Sequence, residues 1–169
     1  MNKRNVLTRI TGLLLSAGLL LPALSVARAS ESPAPSPRCA RPVFYAQTVN
    51  HKKAVEICLV SQGVSYAFGK TGAETKEMDK TVPVRDTTYA WQNNGVIRIQ
   101  EFTVRMGETR YQVYAGTSDD GEPVASLYVY KGAPETGKLL AEIALDPATV
   151  VNNIGPSLAE EGVTQADSL

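Results

Sequence analysis

The chain has 169 residues, 17 of them basic and 17 acidic, with a single histidine and two cysteines. That length suits one small domain with one core, and the balance left once the basic signal segment is set aside, 13 basic against 17 acidic residues, argues against the clustered basic surface that nucleic-acid binding requires. One histidine and two cysteines also leave a metal site short of its usual partners, so neither a metal nor a cofactor is expected.

Residues 1–29 read as a secretory signal peptide. Asn2, Lys3, Arg4 and Arg9 form a polar, basic head, Ile10 to Leu24 is almost wholly apolar, and Ala27-Arg28-Ala29 offers a cleavage site before Ser30. A spanning helix needs about 20 apolar residues; this run is shorter and Pro22 interrupts it, so no stable membrane span is expected. The predicted location is the periplasm or the outside of the cell. The signal holds four of the 17 basic residues and no acid, which leaves 13 against 17 and a mature net charge near −4. A basic partner is modestly favoured.

Ser30 to Pro42 carries four prolines and reads as an extended leader pinned at Cys39. In an oxidising compartment Cys39 and Cys58 are expected to form a disulfide. Pro35-Ser36-Pro37-Arg38 before Cys39 is no lipid-attachment motif.

Residues 43–146 alternate with period two and predict an antiparallel β-domain. Val43 to Val49 and Lys53 to Val60 are strands, and Ser61-Gln62-Gly63 turns the second into Val64 to Phe68. Gly69 to Asp86 reads as a long loop with one short strand near Thr81 to Val84. Thr87 to Trp91 follows, and Asn94-Gly95 predicts a type I′ turn. Within Val96 to Met106, Ile97 and Ile99 oppose Phe102, Val104 and Met106 in phase, which predicts a bulge or short break near Gln100-Glu101. Gly107-Glu108 suits a type II′ turn into Thr109 to Ala115. Val124 to Lys131 and Lys138 to Leu145 form the last hairpin. Asp146-Pro147 signals a helical start, so 147–169 is expected to hold a short helical segment and a frayed tail. The predicted fold class is all-β, a small antiparallel barrel or sandwich of seven or eight strands. Its expected core is Val55, Ile57, Leu59, Tyr66, Phe68, Trp91, Val113, Leu127, Val129, Leu139 and Ile143.

Catalytic signals are sparse, and no enzyme is expected. His51 lies in the polar turn Asn50-His51-Lys52-Lys53 without an aligned partner. The mature chain has no Gly-x-Ser-x-Gly elbow and no Ser-x-x-Lys pair. Glu74, Glu77 and Asp79 alternate with lysines as solvated faces do, and Asp119, Asp120 and Glu122 lack the ligand pattern of a calcium loop. The aromatics offer a better lead. If the aliphatic phase faces inward, Tyr114, Tyr128 and Tyr130 line one outer sheet face, where tyrosine combines large area with a polar tip.

This outline of an exported, disulfide-closed, helix-poor domain resembles small periplasmic inhibitor proteins, such as those that block lysozymes, and immunity proteins against exported toxins. The resemblance covers architecture and assigns no residue. The expected function is a non-enzymatic binder that occludes another exported protein through Tyr114, Tyr128 and Tyr130. The alternatives are a β-barrel carrier of an apolar small molecule and a hydrolase.

Overall fold

A computed structural model describes residues 34–167; the signal peptide expected over 1–29 lies outside them. Eleven strands form two sheets. The first sheet, in the order β10-β1-β2-β3-β4, joins β1 (Pro42–Gln47), β2 (Lys53–Val60), β3 (Gly63–Lys70), β4 (Met78–Val82) and β10 (Val151–Asn152). The second, in the order β11-β5-β6-β7-β8-β9, joins β5 (Thr87–Asn93), β6 (Arg98–Met106), β7 (Thr109–Thr117), β8 (Pro123–Lys131), β9 (Lys138–Ala144) and β11 (Thr164–Gln165). All pairings are antiparallel except that of β11 with β5. The protein is therefore all-β, as its alternation of residues predicts.

The sheets do not close into a barrel. They share one core, in which Phe44, Val55, Ile57 and Tyr66 of the first sheet meet Tyr89, Phe102, Val113 and Leu127 of the second. Tyr66 touches Tyr111 across the gap at 4.9 Å between ring centroids. A single bridge, Thr48 to Leu145, links the segments that follow β1 and β9.

The short helical segment expected within 147–169 takes the form of two 3-10 turns, Pro147–Thr149 and Pro156–Ala159, and the described residues hold no α-helix. Asp146 does cap the first turn, accepting from the Ala148 N–H at 2.9 Å. Beyond it, however, β10 and β11 add to the two sheets, while Ile154, Leu158 and Val163 enter the core. Two-residue strands lack the alternation that makes longer ones visible in sequence.

Two local expectations need correction. Asn94-Gly95 is part of a four-residue loop between Asn93 and Arg98, closed by the Asn94 side chain, which accepts from the Val96 and Ile97 N–H groups. A type I′ turn needs positive φ at both central residues, and His51 is the only non-glycine with positive φ among the described residues. The bulge or short break expected near Gln100-Glu101 is absent, since β6 keeps unbroken register with β5 and β7. A break occurs instead between Val129 and Tyr130, opposite β9.

Among the expected core residues, Val55, Ile57, Tyr66, Val113 and Leu127 are buried, and Leu59, Phe68 and Ile143 pack against them. Val129 is only half-buried. Trp91 and Leu139 are 43% and 46% exposed. The register break pairs Tyr130 with Leu139, so Leu139 shares the outward face of that tyrosine. Trp91 keeps the inward phase of Tyr89, but it stands opposite Gln100 near the strand end, beyond the packed centre.

Leader residues cover the outer face of the first sheet. Val55 and Ile57 face the core, so Glu56 and Cys58 face away from it, yet both are buried. Cys39 is disulfide-bonded to Cys58, with Cα atoms 5.7 Å apart. Ser36 donates to the Glu56 carboxylate through both its N–H and its hydroxyl, the latter at 2.8 Å. The charge-assisted bonds hold the buried carboxylate, and the expected disulfide is present.

Candidate tyrosine and glutamate face

The outer face of the second sheet is built from the opposite phase to its core. Along β6, Phe102 and Val104 point inward and are fully buried, which sends Glu101 and Thr103 outward. On β7, Val113 and Ala115 point inward, leaving Gln112 and Tyr114 outside. On β8, Ala125 and Leu127 point inward, so Ser126, Tyr128 and Tyr130 stand on the same face as Tyr114. Register completes the juxtaposition. Glu101 lies opposite Tyr114, Gln112 opposite Tyr128, and Tyr128 opposite Glu142 of β9.

The three tyrosines singled out from sequence therefore meet. Tyr128 lies between the other two, 6.4 Å from Tyr114 in an edge-to-face arrangement and 6.1 Å from Tyr130 at 30° between ring planes. Both separations fall within the favourable range for aromatic pairs. All three rings are half-buried. Burial pushes each hydroxyl above its ordinary pKa, and Glu101 adds to the effect at all three.

Glu101 is the residue that sequence reading missed. Assigning it to a bulge removed it from the alternation; without that break, its phase places it beside Tyr114. Its side chain is half-buried and accepts from Gln112 Nε2 at 2.8 Å. Desolvation, followed by the charge of Glu135 in the β8–β9 loop, pushes its carboxyl up to about 7. A carboxylate on a sheet face ordinarily finds water or a cation, and this one has tyrosine rings around it.

The raised value has a consequence for stability. Folded protein binds the Glu101 proton up to about pH 7, whereas the reference value is 4.5. Between these limits the folded state holds more protons than the unfolded chain, so stability falls as pH rises and the cost is complete above about 7. Glu101→Gln keeps the acceptor for Gln112 and removes the charge. It should stabilise the protein by about 1–2 kcal/mol near pH 8, the full shift being discounted for partial solvent screening. Near pH 4.5 it should change nothing. Urea unfolding at both pH values reads this difference, and an equal effect at each would refute the assignment.

His51 sits away from this face. Its Nε2 lies 2.6 Å from Asp146 Oδ2, tying the turn after β1 to the 3-10 turn that Asp146 caps. The hydrogen bond from His51 and that from the Ala148 N–H hold the Asp146 carboxyl below the usual range. Elsewhere, a cleft of about 350 Å³ opens at one end between the sheets, lined by Arg98, Gln100, Pro147, Val150 and Asn152 among others. Cys39, Glu56 and Cys58 bring three potential ligand atoms together, but both sulfurs are committed to the disulfide. No helix among the described residues is long and apolar enough to cross a membrane.

No known protein family matches the chain, and no curated protein or solved structure is significantly similar to it.

Proposed function

We propose that the mature chain is an exported, non-enzymatic binding protein that occludes a partner enzyme in the periplasm or outside the cell, in the manner of an inhibitor or immunity-type protein. The observation that carries this reading is the cluster of Tyr114, Tyr128 and Tyr130 on an outer sheet face. Tyrosine buries large area on binding at little entropic cost and keeps a hydroxyl for the partner. The two sheets also differ in a way that favours it. Leader residues Ser36 and Cys39 cover part of the first sheet's outer face, whereas the tyrosine face of the second remains half-open.

Binding energy at such a face concentrates in a few anchors. The Tyr128→Ala, Tyr130→Ala double variant should weaken capture of the partner from a periplasmic extract by at least about tenfold, or 1.4 kcal/mol. Circular dichroism and urea unfolding should show a folded domain, because both rings lie outside the shared core. Unchanged capture would overturn this site and direct attention to the segment between Gly69 and Asp86.

A further inference from the structure

The tyrosine face carries more negative charge than it neutralises. Glu101 borders it on β6 opposite Tyr114, Glu142 stands opposite Tyr128, and Glu135 reaches it from the β8–β9 loop. Among the described residues, six ion pairs occupy acids elsewhere, and none involves Glu101, Glu135 or Glu142. Two arginines share the outward phase, Arg105 on β6 and Arg110 on β7, and Arg110 stands opposite Tyr130. Arg105 pairs with Asp86, and Arg110 donates to the Gly107 carbonyl. Glu101 is left with a neutral donor, Gln112, and the rings.

We infer that this cluster seats a basic side chain of the partner protein, its cation lying over the tyrosine rings and facing the Glu101 carboxylate. The inference rests on the reading that this face binds a protein, and it names the chemistry recognised there. A cation over a tyrosine ring is attracted by the ring's negative face, and arginine is the commoner cation in such contacts. Arginine also stacks its planar guanidinium on aromatic faces while donating, in its own plane, to a carboxylate. Tyr128 and Tyr130, tilted by only 30°, suit the first role, and Glu101 supplies the second. A carboxylate kept partly dry gains more from an arriving cation than one in bulk water. The excess of acid over base in the mature chain acts in the same direction at longer range.

The groups facing Glu101 define the expected pH response. They are Tyr114 and Gln112 from β7, Tyr128 and Tyr130 from β8 and Glu135 from the loop, with the uncharged Ala90 opposite on β5; Glu142 of β9 lies beyond them opposite Tyr128, and the permanently charged Arg110 lies opposite Tyr130. The only histidine, His51, is bound to Asp146 elsewhere. A transition near neutrality therefore reports Glu101, whose ionised form holds the cation.

The test is a titration of the mature protein with a short arginine peptide, and with its citrulline counterpart of the same shape and no charge. Tyrosine ring resonances provide the readout. The arginine peptide should shift Tyr128 and Tyr130 saturably at about pH 8, at least roughly tenfold more tightly than citrulline, the size of a strong cation–π contact. Affinity should fall about tenfold towards pH 5.5, and Glu101→Gln should lower it similarly and remove the pH dependence. Equal binding of the two peptides, no saturable shift, or an undiminished response in Glu101→Gln would overturn the inference. Loss of partner capture in the tyrosine double variant, together with no preference for arginine, would leave the binding function standing and remove only the cation seat.

Discussion

Phe102→Ala should destabilise the protein by about 3–5 kcal/mol, the range for deleting a buried aromatic side chain. Phe102 is fully buried at the centre of β6, opposite Tyr89 on one side and Val113 on the other. Its ring also belongs to the core that both sheets share, so the cavity left by alanine cannot be closed by one sheet alone. Native stabilities are usually about 5–15 kcal/mol, which makes this a loss of a large part of the total. Ile57→Ala, removing an equally buried side chain from the facing sheet, should cost about 2–4 kcal/mol. Leu139→Ala serves as the contrast: at 46% exposure it should stay within about 0.5 kcal/mol. Urea unfolding of the three variants compares them directly. A Leu139 effect as large as that of Phe102 would mean that the β8–β9 register is misplaced.

Removing the disulfide should cost about 3 kcal/mol, the value expected from loop-closure entropy for two cysteines 19 residues apart. For a domain of this size that corresponds to a fall in melting temperature of roughly 10 °C. The bridge joins the leader to β2, and Ser36 lies only three positions before Cys39. With Cys39→Ser and Cys58→Ser, the leader should become accessible to protease while the two sheets persist. The buried Glu56 carboxylate would then lose its fixed Ser36 donors, an added penalty that Glu56→Gln should reduce. Thermal melts with and without reductant provide the measurement. A wild-type melting temperature unaffected by complete reduction would exclude the bridge as a stabilising element.

Where period two is strong and both faces differ, sequence and structure coincide closely. The hairpin of β2 and β3 is an example: Val55, Ile57 and Tyr66 mark its inner face, and a two-residue turn precedes Gly63. The tyrosine phase was legible for the same reason, because Val113 and Leu127 fix the inner side of their strands. Glu101 was hidden by Ile97 and Ile99, whose apolar character mimics a change of phase. In the structure Ile99 is simply an outward, half-buried residue of an unbroken strand. Leu139 failed through the opposite cause, an actual register break that no residue type announces. Trp91 shows a third limit, since alternation tells which side a residue faces but not whether anything lies over it. The short β10 and β11 depend on partners distant in sequence, β1 and β5, and no local pattern encodes them.

The leader attachment also gives the molecule a front and a back. Ser36 and Cys39 are fastened to the outer face of one sheet, and Tyr114, Tyr128 and Tyr130 occupy the outer face of the other, with the whole core between them. A label, bead or sensor surface attached to the leader close to Ser36 would therefore hold the domain by its rear. The tyrosines would point into solution, oriented alike in every copy. Chemical coupling through surface lysines would present some copies face down. Lys131 and Lys138, opposite each other at the end of the β8–β9 hairpin, lie beside Tyr130 and would be among the sites modified. For measuring a partner's affinity, the choice of attachment point is thus set by the fold itself.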